Sequence, residues 1–341
     1  MIASLPDAGS TWRRVVAESA QAHLGHAPEW LPVIQCAYGH DPLYLTAEDD
    51  DGGAGVLPAF VVRRPFLGTV VTSMPFLDSG GPCGTSPAIN RILVNHLVSE
   101  ARGLGARVVE LRCSQPMDVA TAPAEYKVNM TLSIPGEAGA LWQRFDKTVR
   151  NQIRKAERAG LSVEPGGIEH LSAFYDAFTA RMRDLGSPVH APAFLRGVIE
   201  SFGSRSRIYL VKKTGTTVGG LITLAFNDRV TVPWATCLKE YFSLCPNMLL
   251  YWEALKTTCT EGYRCFDFGR STRNSGTYQF KRQWGALEEP LFWYRIPIRA
   301  SLRPTDVEDG RGRSCLVKAW QRLPLAFTRQ IGPRIRRYLV Q

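Results

Sequence analysis

The order of apolar runs, turns and helices is written twice in this chain, and a chain that repeats such an order builds the same sheet twice. Leu43-Tyr44-Leu45 opens an alternating run, acidic and glycine-rich turn residues fill 48 to 55, and a second apolar run extends from Val56 to Val62. In the second half Ile208-Tyr209-Leu210-Val211, the turn Lys212 to Thr216 and the run Val218 to Phe226 repeat that order. Period-two alternation broken by glycine and polar residues predicts a β-hairpin at each place. A third strand follows in each copy, Val70 to Met74 and Val230 to Ala235, and then a helix that starts soon after a proline. From there the copies keep one register at an offset of 157 residues: Asn90 falls on Asn247, Leu93 on Leu250, Gly105 on Gly262, Arg107 on Arg264 and Glu110 on Asp267. Each segment reads as a helix ended by glycine, then a short strand with a carboxylate between apolar neighbours. The expected fold class is α/β (α+β), a duplicated unit built on a mainly antiparallel central sheet flanked by helices.

Between the copies, Gly136 to Gly160 reads as one helix with Leu141, Trp142, Phe145, Val149 and Ile153 on its apolar face. Two further helices are expected at His170 to Leu185 and Pro192 to Ser201. A boundary near Pro135-Gly136 divides the chain into domains 1–135 and 136–300 and a basic amphipathic tail, 301–341. The chain of 341 residues is long enough for two such cores. Its longest apolar stretch, Val218 to Phe226, is far below the roughly 20 residues that span a bilayer. With no basic and apolar leader at Met1 to Asp7, a cytoplasmic protein is expected.

Lys and Arg number 41 against 31 acids, for a net charge of +10, and from Arg303 to Gln341 there are nine basic and three acidic residues. Leu316, Val317, Trp320, Leu323, Phe327, Ile331, Ile335 and Leu339 lie among those cations. Such a tail suits either peripheral contact with the inner membrane face or docking back onto the body. The eight cysteines form no C-x-x-C pair, so they read as mostly buried small hydrophobes and no metal site is expected.

Chemistry concentrates in the string from Phe266 to Gly285. Asp267 lies at period two between Phe266 and Phe268, which turns its carboxylate away from the face of the rings. Gly269 and Gly276 permit sharp turns, and Arg270, Ser271, Asn274 and Ser275 offer donors to an anion. A short helix from about Thr277 gathers Tyr278, Lys281 and Arg282 within one turn, with Lys281 enclosed by Phe280 and Trp284. Against this stand a solvated lysine and a structural pairing of Asp267 with Arg264 or Arg270. A second constellation places Lys147, Arg150, Arg154 and Arg158 on one helical ridge beside Asn151, either as a track for phosphates or as a solvated face offset by Asp146 and Glu157. A third is the loop Met74-Pro75-Phe76 to Gly80-Gly81-Pro82-Cys83-Gly84, whose backbone N–H groups could cradle an anion or form a cleft wall, although it has no P-loop lysine. His40, after Gly39, reads as a turn residue.

The strings Lys147-Thr148-Val149-Arg150-Asn151 to Gly160, Asp267-Phe268-Gly269-Arg270-Ser271 and Gly276-Thr277-Tyr278 to Lys281, Trp284 and Gly285 together resemble the FemAB family. With Gly39-His40 and the Met74 to Pro82 loop, the chain is similar to the FemAB-like proteins associated with PEP-CTERM/exosortase and exopolysaccharide loci. The resemblance spans about residues 30 to 300. It implies tandem GNAT-like acyltransferase domains that move an acyl or aminoacyl group from acyl-CoA or aminoacyl-tRNA, as co-substrate, to an amine or hydroxyl of a cell-envelope, peptidoglycan or exopolysaccharide precursor, with no bound cofactor. By the same resemblance Lys281 lies at the donor channel and Gly81-Pro82 borders the acceptor cleft. Lys281, Asp267 and Tyr278 are then the catalytic candidates, and Lys147, Arg150, Asn151, Arg154, Arg270, Ser271, Gly81 and Pro82 the substrate-binding ones. Cys83-Gly84-Thr85 stands where family ligases often carry an acid after Gly-Pro, and Lys239 to Leu244 stands where acyl-CoA enzymes carry a glycine-rich phosphate loop. A reading of another class is a catalytically silent scaffold or tRNA/RNA-binding module that uses the basic helix and tail.

Overall fold

Both hairpins form, and each is extended into a seven-stranded sheet. The computed structural model describes residues 2–4, 9–124, 127–298 and 310–340. The chain opens with β1 (Ile2–Ser4), α1 (Gly9–Glu18), α2 (Trp30–Tyr38), β2 (Asp41–Glu48), β3 (Ala54–Arg64), β4 (Gly68–Thr72), β5 (Cys83–Gly84), α3 (Pro87–Gly103) and β6 (Val108–Cys113). It continues through β7 (Lys127–Ser133), α4 (Ala138–Arg144), α5 (Lys147–Arg158), β8 (Leu161–Gly166), α6 (Leu171–Asp184) and α7 (Pro192–Phe202). Then come β9 (Ser206–Lys213), β10 (Thr216–Phe226), β11 (Arg229–Cys237), α8 (Pro246–Thr260), β12 (Cys265–Thr272) and α9 (Gly276–Arg282). β13 (Leu287–Pro290), β14 (Phe292–Pro297), α10 (Gly310–Gln321) and α11 (Leu325–Arg336) complete the described elements. None of the described helices is long and apolar enough to cross a membrane.

The duplication extends to register. In the first sheet, β1-β2-β3-β4-β6-β14, the pair β4–β6 is parallel and runs from Val70 opposite Val108 to Thr72 opposite Glu110. In the second, β13-β7-β12-β11-β10-β9-β8, the parallel pair is β11–β12, from Arg229 opposite Cys265 to Thr231 opposite Asp267. Each parallel contact ends on a carboxylate facing a threonine, after which the two strands part. The remaining hairpin pairings are antiparallel.

Helix α3 starts with Ser86 accepting from the Ile89 N–H and Pro87 in the first turn, a cap worth ~1 kcal/mol. It packs Ile89, Leu93, Val94, Leu97 and Ala101 against Leu57, Ala59, Val61, Val109 and Leu111, each larger side chain contributing about 1.5–3 kcal/mol. In the second sheet Gly220 is required by closeness rather than by φ: a Cβ there would stand 2.6 Å from the Tyr209 carbonyl oxygen and 3.0 Å from the Phe174 ring.

Two expectations are corrected. First, residues 136–160 are two helices, not one. Phe145 leaves helical geometry with ψ 142° and packs edge-on to Trp252 and Trp284 at 5.8 and 5.1 Å, so core burial outweighs the continuous helical pattern. Second, the two units are Met1–Val128 with Glu289–Asp309 and Tyr338–Gln341, and Asn129–Glu288 with Gly310–Arg337. The boundary drawn at Pro135-Gly136 and the cut at 300 both miss an exchange of strands, in which β7 enters the second sheet and β14 pairs with β6 of the first. His40 lies in the connection between α2 and β2, as read, and is buried beside Phe76 and Tyr38.

Within the second unit α10 and α11 pack on α6. Arg329 pairs with Asp176, Arg336 Nε donates to His190 Nε2 at 3.1 Å, and Gly332 lies against Val189. Residues 301–309 of the tail lie outside the described residues. In the first unit the Arg112 guanidinium is buried, donates to the carbonyls of Met74, Leu77 and Val340, and lies 4.9 Å from the Trp293 ring centroid. The Phe76 N–H also donates to the Val340 carbonyl, at 3.1 Å.

Candidate functional site

The second unit assembles its polar cluster where β11 and β12 part. Phe266 and Phe268 point into the core at 0% and 2% exposure, and Asp267 between them lies on the other face. Its oxygens accept from Asn129 Nδ2 at 3.0 Å, from the Gly269 N–H at 2.8 Å and from Arg229 at 3.4 Å. Arg229 forms an ion pair with this carboxylate from the neighbouring strand, which it begins at the paired end. A carboxylate so engaged acts as a clamp. It fixes the backbone inside β12 at Gly269, whose φ of +74° a residue with a side chain would rarely adopt.

Lys281 is 7% exposed, and its ammonium donates to the carbonyls of Gly269 and Arg270, each at 2.8 Å. Helix α9 presents it there because Ser275 caps the helix by accepting from the Tyr278 N–H at 3.3 Å. Tyr278, one turn earlier, faces elsewhere: its hydroxyl donates to Glu288, which also accepts from Arg273 Nε at 2.9 Å. That bond raises the Tyr278 pKa above its ordinary value and lowers that of Glu288, so the phenol keeps its proton at neutral pH. The structure thus brings Asp267, Gly269, Arg270 and Lys281 together and directs Tyr278 to a separate pair. Arg282 is exposed.

Ser271 is 3% exposed, and its hydroxyl has no hydrogen-bond partner among the described residues. Ser275 is spent on its cap and on Thr277, at 3.0 Å. Asn129, Arg229 and Glu288 are contributors that motif reading passed over. Asn129 carries a signal, an amide inside the apolar run Val128 to Met130, but its meaning depends on β7 lying in the second sheet.

On α5, Val149, Ile153 and Ala156 are buried and the cations face outward. Lys147, Asn151, Arg154 and Arg158 are exposed and Arg150 is half-buried. Arg154 lies over the Trp142 ring at 5.5 Å, Arg150 reaches Gln143 at 3.5 Å, and Arg158 Nε donates to the Arg154 carbonyl at 3.2 Å. Among the described residues none of these cations forms an ion pair with Asp146 or Glu157, both of which are exposed. The segment before α8, Lys239–Leu244, is a 3-10 helix, and the N–H groups of Tyr241 and Cys245 are used on Leu238 and Phe242.

In the first unit the Gly-Pro loop is anchored by His26. Its Nδ1 accepts from the His23 N–H at 3.2 Å, which places the ring proton on Nε2, and Nε2 donates to the Gly81 carbonyl at 2.9 Å. Burial lowers the His26 pKa to about 4, so this proton arrangement is stable at neutral pH. The anion cradle expected of the loop is largely spent on packing. Gly80 donates to Arg112, Thr85 to Ala54, and Cys83 and Gly84 pair with β3. A Cβ on Gly81 would meet Cys113 Sγ at 2.7 Å. What remains is a cleft wall: a cavity of about 240 Å³ beside Gly81, Pro82, Ser86, Asn90, Gln115 and Asp118.

Residues 143–282 match the family model described as an acetyltransferase (GNAT) domain. Among solved structures, FemX superposes with a TM-score of 0.68 at 12% identity, covering 87% of this chain and 97% of that one. The C-terminal domain (DUF2156) of a putative lysylphosphatidylglycerol synthetase from Agrobacterium fabrum gives 0.55 at 13% identity, covering 91% and 96%. A tandem GNAT protein from the clavulanic acid biosynthesis pathway gives 0.53 at 12%, covering 89% and 99%. No curated protein sequence matches the chain. The chain has the tandem GNAT fold, and its residues 143–282 are the part that matches the acetyltransferase (GNAT) domain.

Proposed function

We propose that the chain is an acyl- or aminoacyltransferase that modifies an amine or hydroxyl of a cell-envelope or exopolysaccharide precursor, in the manner of the FemAB-like proteins of PEP-CTERM/exosortase loci. The observation that carries this reading is the buried Lys281 ammonium, held by two carbonyls at the point where β11 and β12 part. In the reaction the acceptor's lone pair attacks the acyl carbonyl, an oxyanion forms, and its collapse expels the tRNA hydroxyl or the CoA thiol, which takes up the proton lost by the acceptor. Lys281 supplies fixed positive charge to that oxyanion. Asp267 positions the Gly269 backbone, and Tyr278, kept as a phenol by Glu288, does not act as a base.

The open cations of α5, Lys147, Arg150, Arg154 and Arg158 with Asn151, are suited to donor phosphates, joined by Arg270 and Ser271 at the strand end. With the segment before α8 wound into a 3-10 helix, this track favours aminoacyl-tRNA over acyl-CoA. The acceptor is assigned to the cavity beside Gly81 and Pro82. The protein works in the cytoplasm, and the exposed Leu316 and Phe327 of the tail give it a peripheral contact with the inner membrane face.

Mass spectrometry of envelope precursors from cells with and without the gene will show the added group. Purified protein carrying Lys281→Ala should transfer about 100- to 1,000-fold more slowly while still melting above the assay temperature. Unchanged turnover in that variant refutes the role given to Lys281. The same open ridge favours a second reading, a silent tRNA-binding module, and salt-sensitive tRNA binding without any turnover would select it.

A further inference from the structure

The tip joining β3 to β4 presents apolar surface to water and packs cations beneath it. Phe66 is wholly exposed and adopts φ +63°, a conformation unfavourable for an aromatic residue, and Leu67 beside it is 59% exposed. The hairpin is fastened just below them, with Arg64 opposite Gly68. Arg107 lies against the tip: its guanidinium donates to the Leu67 carbonyl at 3.2 Å, and a Cβ on Gly68 would stand 2.5 Å from its Cδ.

Arg64 lies within electrostatic reach of Glu110, Arg295 and Arg107, and Glu110 pairs with Arg295 at 3.3 Å. All three arginines are half-buried, and Arg64 Nε is buried without a hydrogen-bond partner among the described residues. Arg63, next along the strand, is satisfied by Asp41. These three guanidiniums and one carboxylate carry a net charge of +2 on and beside the strands that lead to the apolar turn.

We propose that this tip docks on an anionic phospholipid surface, with Phe66 and Leu67 entering the interfacial layer and Arg64, Arg107 and Arg295 meeting headgroup phosphates. Two side chains on a tight turn fall far short of the ~1,000 Å² that a stable protein interface requires. A few apolar side chains above fixed cations are the combination that holds a protein to an anionic bilayer. The assignment is independent of the transferase chemistry.

The test is flotation of the full chain with vesicles of equal parts phosphatidylglycerol and phosphatidylcholine, and with phosphatidylcholine alone. Binding is expected on the anionic vesicles and should fall steeply at about 0.5 M salt. Phe66→Asn with Leu67→Ser, at exposed positions where asparagine tolerates positive φ, should weaken binding about 100-fold without changing the melting temperature. Arg107→Gln should weaken it about 5-fold. In the tail, Leu316→Ser with Phe327→Ser serves as the comparison and should leave tip-dependent binding in place. No binding by the wild type, equal binding by the tip variant, or loss of all binding through the tail variant alone would each overturn the proposal.

Discussion

A buried ammonium survives only where oxygen meets it, and Lys281 meets the Gly269 and Arg270 carbonyls at the end of β12. The rings of Phe280 and Trp284 made its enclosure legible in the sequence. Its partners were not legible, because backbone oxygens carry no residue identity. Period two places Asp267 on the face away from the rings, but its partners Asn129 and Arg229 were not legible, since they arrive from other strands. Tyr278 and Glu288 yield a prediction with a defined sign. Glu288 is held below its ordinary 4.5, so its contribution is present above that value and is lost as pH falls through the lowered pKa. Tyr278 is held above 10.0, so its contribution is present below that value and is lost as pH rises through the raised one. The melting-temperature gap between wild type and Tyr278→Phe should therefore be widest between about pH 5 and 9 and close at both extremes. A gap independent of pH would show that the hydroxyl bond contributes nothing.

At the scale of elements, period and capping located α6, α7, α3 and α8 closely, because each buries a stripe against its sheet. The long helix read over 136–160 failed at Phe145, where the ring gains more between Trp252 and Trp284 than the helix loses by stopping. The break starts α5 afresh at Lys147 and sets its cations along an open ridge. Like charges on one ridge repel, so an unliganded helix loses little when they are removed. Lys147→Gln, Arg150→Gln and Arg158→Gln together, with Arg154 left on Trp142, should change stability by no more than about 0.5 kcal/mol in urea melts. In filter binding the same variant should lower tRNA affinity, and the slope of log K against log salt should shrink by about 0.7–0.9 for each phosphate no longer neutralised. An unchanged slope would make the ridge a merely solvated face.

For the whole molecule, the repeated order revealed two sheets of one kind but not how the chain shares its strands between them. Lys127–Ser133 and Phe292–Pro297 were not identified as strands from the sequence, and a strand's own residues say nothing of which sheet receives it, since any open edge offers the same hydrogen bonds. The consequence is measurable. A fragment ending at Pro135 keeps β7 without its neighbours and leaves β6 without β14, whose register runs from Phe292 opposite Cys113 to Pro297 opposite Val108. A fragment beginning at Gly136 lacks β7, which stands between β13 and β12 inside its sheet. Expressed separately, both pieces should aggregate or lack cooperative urea transitions, because each carries an unpaired apolar edge. Expressed together they should recover a soluble complex with native far-ultraviolet dichroism and slow amide exchange in β6 and β12. Two soluble monomers, each melting cooperatively when alone, would show that the exchanged strands contribute little and that the duplicated units are independent after all.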